Sequence, residues 1–140
     1  MSPSSELHTD ILLRSEQSAG HVSIMENIVS AGSAGPPLHK HDFDEGFYML
    51  EGELIFQIGD QRFTRRAGEF AFAPRNVVHT FANHSDQPAR ALIAVTPAGF
   101  ERYFRLVSAQ LAGTERPADA FGPRPATEQV GPPIPRRHRG

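Results

Sequence analysis

His39 and His41 stand one residue apart. On an extended chain this puts both imidazoles on one face, a few ångströms from each other, which is a two-point grip for a metal ion. Alone the pattern is weak, because two histidines in a surface loop read the same way. Glu45 follows four residues after His41 with the same parity, and a carboxylate beside two imidazoles completes three donors for a borderline divalent cation. Asp42 and Asp44 compete for that place, with the opposite parity if the segment is extended. His79 lies in a separate apolar run, VVHTFA, and by itself reads as a satisfied core histidine. The chain has no Cys, so thiolate ligands, disulfides and cysteine nucleophiles are excluded together.

The elements that must position these groups read as β structure. The 140 residues hold 12 Gly, 12 Pro and 10 Phe, a pattern of frequent turns between short Phe- and Ile/Val-rich runs. His21 to Ser30 reads as a strand, after an exposed start with one edge strand around Ile11, Leu12 and Leu13. Residues 47–51 and 53–58 read as two strands meeting at Gly52, with Leu54, Phe56 and Ile58 at period two. Gly59-Asp60 links the second of these to QRFTR in a tight hairpin. EFAFA, VVHTFA and ARALIAVT follow, giving about eight strands. After Pro97 the period changes: Phe100, Tyr103, Phe104, Val107 and Leu111 form one stripe of an amphipathic helix that Gly113 is placed to stop.

Taken together, the spacings resemble the two motifs of the cupin superfamily. The first family motif is G-x5-H-x-H-x3,4-E-x6-G, and His39, His41, Glu45 and Gly52 match it in register. The second is G-x5-P-x-G-x2-H-x3-N, matched by Gly68, Pro74, His79 and Asn83. Ser33 stands where the first motif opens with Gly, in a loop still rich in Gly and Pro. Asn76 stands for the second motif's middle Gly, and Asn is among the non-glycine residues that best tolerate positive φ. The resemblance spans residues 20–97. It implies an all-β double-stranded β-helix, a jelly-roll barrel, with a metal inside. The implied ligands are His39, His41, Glu45 and His79, holding one divalent ion: Fe, Mn, Ni, Co, Cu or Zn. Three neutral imidazoles and one carboxylate leave the ion a charge near +1 and leave room for exchangeable positions.

If Glu45 points inward, Phe47 and Met49 follow it, and Phe56 and Phe81 share the inner face of their strands. Core packing accounts for these residues, and so does an aromatic pocket for a flat substrate cut from that core. The single-domain form, with a helix after the last strand and a Pro-rich end, is similar to small bacterial quercetin 2,3-dioxygenase-like proteins. That resemblance implies a dioxygenase-type oxidoreductase acting on a small aromatic or enolic substrate, with Glu45 as both ligand and catalytic base. A non-oxidative metal cupin (isomerase, lyase or cyclase) and a small-molecule-binding cupin without turnover are the alternatives.

Composition bounds the rest. A formal net charge of −2 argues against nucleic acid and anionic membrane as partners. The N-terminus lacks a signal-peptide pattern and no apolar run approaches a membrane span, so a cytoplasmic protein is expected. Residues 1–113 are expected to form the barrel with its helix. Residues 114–140 read as a Pro/Gly-rich tail whose Val130 to Pro135 strip, apolar and stiff, is a candidate to dock on the barrel. Small barrels of this family resemble one another in pairing, so a homodimer is expected.

Overall fold

The structure, a computed structural model, describes residues 7–99 and 127–135. The strands are β1 (Leu7–Leu13), β2 (Ser23–Val29), β3 (Leu38–His41), β4 (Asp44–Glu51) and β5 (Glu53–Ile58). They continue as β6 (Gln61–Arg66), β7 (Phe70–Ala73), β8 (His79–Ala82), β9 (Ala89–Thr96) and β10 (Thr127–Gly131). They form two five-stranded antiparallel sheets, β1-β2-β9-β4-β7 and β10-β3-β8-β5-β6. This is the jelly-roll arrangement.

Period-two alternation decides which face turns inward. In β2, Ser23, Met25, Asn27 and Val29 are buried while the residues between them are not, and β9 does the same with Ala89, Ala91, Ile93 and Val95. Both inner faces meet in one core, where Phe47, Met49, Leu54, Phe56 and Phe81 pack together. The hairpin expected at Gly59-Asp60 joins β5 to β6 with Ile58 opposite Gln61, and Gly59 takes a φ of +59°. A left-handed first loop residue is what a tight hairpin asks of Gly. Gly35 is forced by space instead: a Cβ there would run into the Phe81 carbonyl.

Ten strands among the described residues exceed the eight expected, and the additional two are β3 and β10. β3 is four residues long and mostly polar, so no apolar alternation marks it. β10 lies inside the Pro-rich segment and pairs antiparallel with β3. It stops before Pro132 and sits at a sheet edge, where a missing N–H costs little. Of the strip expected to dock, Ile134 is 5% exposed, whereas Val130 is 41% exposed and faces out. Leu38 N–H donates to the Pro132 carbonyl at 3.3 Å, continuing the attachment past the strand. The helix expected at Phe100–Leu111 lies outside the described residues. No helix among the described residues is long and apolar enough to cross a membrane.

Candidate metal centre

β3 and β8 are neighbours in the second sheet, and His39 pairs with His79 across them. His41, two residues on from His39, faces the same interior. β4 belongs to the other sheet, where Glu45 pairs with Ala73 and Val95 and points inward with them. The two sheets therefore bring the four residues together from opposite sides. The imidazole centroids of His39 and His41 lie 4.6 Å from that of His79 and 5.6 Å from each other. One ring nitrogen from each of the three lies within 4.8 Å of the others.

Each ring is oriented by the backbone beside it. Nδ1–H of His39 donates to the Pro37 carbonyl at 2.7 Å, that of His41 to Phe43 at 3.1 Å, and that of His79 to Val77 at 2.9 Å. A carbonyl only accepts, so each Nδ1 carries the proton and each Nε2 is the atom left for the cluster. Glu45 Oε1 lies 3.1 Å from His41 Nε2 and 3.2 Å from His79 Nε2. With neutral rings, lone pairs would face a carboxylate. With Glu45 ionised, the arrangement calls for positive charge among these atoms, either protons on the imidazoles or a cation between them. Three imidazole nitrogens and a carboxylate oxygen fit a borderline divalent metal.

The electrostatics follow the same geometry. Burial opposes ionisation of Glu45, but the hydrogen bonds from His41 and His79 outweigh it and hold its pKa at about 2. Burial also works against a charged His79, and the Glu45 carboxylate overrides it, raising the His79 pKa. His39 goes the other way: burial, with the like charge of its neighbours, lowers its pKa and keeps the ring neutral.

The loop after β7 fixes the site from outside. Asn76 takes a φ of +64°, the left-handed turn expected of it, and its N–H donates to the His41 carbonyl at 2.6 Å. Arg75 clamps Asp44 through its backbone N–H at 2.9 Å and its Nη2 at 3.0 Å. Asp44 therefore faces away from the histidines and leaves the carboxylate position to Glu45. Phe43 stacks on His41 with centroids 3.6 Å apart and planes 4° from parallel. Asn83, fully buried, donates to the carbonyls of Val29 and Gln87 and accepts from Ser85, closing the loop after β8. Its place at the end of the second motif is structural.

Phe47, Met49, Phe56 and Phe81 are all buried, and Phe81 with its cross-strand partner Phe56 lies one rung along the barrel from His79. Phe47 meets Phe56 and Phe81 at centroid distances of 5.1 and 5.7 Å. Sequence spacing located the four polar residues but not Phe43, Arg75 or the carbonyls of Pro37, Phe43 and Val77. The one available signal was that each carbonyl belongs to a residue two positions from its histidine.

The profile of the cupin domain matches residues 26–95, half of the chain. The chain belongs to the cupin family. Among solved structures, this cupin is similar to the polyketide cyclase RemF from Streptomyces resistomycificus, at 22% identity and a TM-score of 0.63, covering 90% of this chain and 72% of that one. It is also similar to the TT1209 protein from Thermus thermophilus, at 25% identity and a TM-score of 0.60, covering 69% and 87%. A predicted oxalate decarboxylase from Thermotoga maritima gives 22% identity and a TM-score of 0.62, covering 65% and 80%. No curated protein matches the chain in sequence.

Proposed function

We propose that this cupin is a metal-dependent enzyme in which His39, His41, Glu45 and His79 hold one divalent transition-metal ion. We further propose dioxygenase-type oxidation of a small aromatic or enolic substrate. The observation that carries the reading is the pinning of all three Nδ1 atoms to backbone carbonyls, which leaves three Nε2 atoms for the cluster, those of His41 and His79 at 3.1 and 3.2 Å from the Glu45 carboxylate. When bound, the metal would supply Lewis acidity and one-electron chemistry toward oxygen.

The chain's own residues do the rest. Phe47, Met49, Phe56 and Phe81 are the proposed apolar lining, which orients a flat substrate and excludes water. Glu45 is the proposed base for an acidic substrate hydroxyl. A carboxylate held at about pKa 2 by hydrogen bonds from His41 and His79 is a weak base, so a base role for Glu45 would require those hydrogen bonds to be given up.

The test is metal analysis of untagged protein, then a panel of flavonols, catechols and enolic acids under air and under nitrogen. Oxygen uptake stoichiometric with substrate loss supports the oxidative reading. Equal turnover under nitrogen replaces it with the non-oxidative one, an isomerase, lyase or cyclase. Absence of turnover with the metal loaded leaves a binding protein.

A further inference from the structure

On one side of the barrel, β6 and β7 are the terminal strands of the two sheets, and a cleft of about 550 Å3 runs between them. This volume suits a small molecule. None of the four proposed metal ligands lines the cleft, although Ile58 at one end of it is the cross-strand neighbour of His79. Phe63, Phe70 and Phe72 provide aromatic surface, and Phe70 and Phe72 are 53% and 51% exposed on the edge strand.

The polar groups of the cleft all carry N–H donors, and none is a carboxylate: Gln61, Arg62 and Arg65. Arg65 is not a free surface arginine. Its guanidinium sits 4.3 Å from the centre of the Phe63 ring, its Nε donates to the Phe70 carbonyl at 3.0 Å, and its Nη1 donates to the Thr64 carbonyl at 3.2 Å. These contacts tie β6 to β7 and fix the charge in place. Three of its five N–H groups remain for a guest. Arg62 is held by Gln57, whose Oε1 accepts from its Nε at 2.8 Å. Among the described arginines, Arg14, Arg66, Arg75 and Arg90 are each paired with a carboxylate, whereas neither cleft arginine has an ion-pair partner. The two arginines without an ion pair among the described residues therefore lie where the aromatic surface is.

We propose that this cleft binds a small planar aromatic carboxylate, its ring against the exposed Phe70 and Phe72 and its oxygens on the guanidinium of Arg65 that Phe63 supports, with Arg62 adding charge. A fork-shaped guanidinium held over a ring matches a carboxylate carried by an aromatic guest. The site is separate from the histidine cluster and does not rest on the enzymatic reading.

The experiment uses 2-naphthoate as probe, titrated by calorimetry into the protein as purified, beside the uncharged 2-naphthylmethanol. The acid saturates and the alcohol binds at least about tenfold more weakly. Arg65→Met keeps the stem over Phe63 and removes the charge. Phe72→Ala changes only the exposed rim and serves if Arg65→Met folds poorly. Each weakens 2-naphthoate by about tenfold while the metal content stays at the wild-type level, and Arg65→Met also abolishes the preference for acid over alcohol. The proposal is overturned by equal affinity for the two probes, by the absence of saturation at millimolar acid, or by unchanged affinity in Phe72→Ala. It is equally overturned if binding of the acid disappears in EDTA-treated protein, which would put the carboxylate on the metal.

Discussion

Each imidazole of the site is held by a carbonyl at its Nδ1, and those of His41 and His79 also meet Glu45 at Nε2, so small changes at single residues have distinct signatures. Glu45→Gln keeps an oxygen donor but loses both the charge and the base. Metal affinity is expected to fall modestly, by about tenfold, while turnover collapses. Calorimetric metal titration beside an activity assay checks this, and retained turnover removes Glu45 from the chemistry. Asn76 tests the outer support. Its positive φ costs an ordinary side chain about 1–2 kcal/mol, so Asn76→Val is expected to lower the melting temperature while Asn76→Gly leaves it unchanged. Because the Asn76 N–H holds the His41 carbonyl, Asn76→Val is also expected to weaken metal binding. At this scale the sequence was legible wherever chemistry depends on side-chain type and spacing, as in the two histidine motifs. The orienting carbonyls were not legible, because the direction of a backbone group is not carried by residue type.

At the scale of elements, the strands with clear alternation were readable and those without it were not. β5 shows Leu54 and Phe56 inward at period two, so its limits follow from the pattern. β3 has the sequence LHKH and is a strand because its neighbours β8 and β10 supply the ladder. β10 was hidden by the prolines that follow it, which at a sheet edge limit its length rather than prevent it. Ile134 is buried at the end of this segment, and Ile134→Ala is expected to cost ~2 kcal/mol, lowering the melting temperature by roughly 5–10 °C. Val130→Ala, at an exposed position, is expected to change it by little. Thermal denaturation of both variants compares them directly, and equal melting temperatures would contradict the docking seen here.

For the whole molecule, the two sheets matter because neither alone carries the whole of the proposed site: the three histidines come from the second sheet and Glu45 from the first. Opening the sandwich should therefore release metal and unfold the barrel in one step. EDTA is expected to lower the melting temperature, by an amount that grows with metal affinity. Assembly is proposed on the far side from the β6–β7 cleft. β1 is a terminal strand with Leu7 and Leu12 exposed, and Ile28 beside it is also exposed. A strand edge that no described residue pairs with, carrying apolar side chains, is a surface for a second copy. Light scattering at micromolar concentration is expected to give twice the chain mass of 15.4 kDa, and a monomer contradicts it.

The central claim is that four residues from two sheets hold one metal ion. It is tested most directly by metal content, measured by inductively coupled plasma mass spectrometry on untagged protein and on His39→Ala, His41→Ala and His79→Ala. The geometry predicts close to one transition-metal ion per wild-type chain and a sharp loss in each variant, since three donors cannot hold the ion as four do. Full occupancy in all three variants, or wild-type protein that takes up no metal on titration, would contradict it.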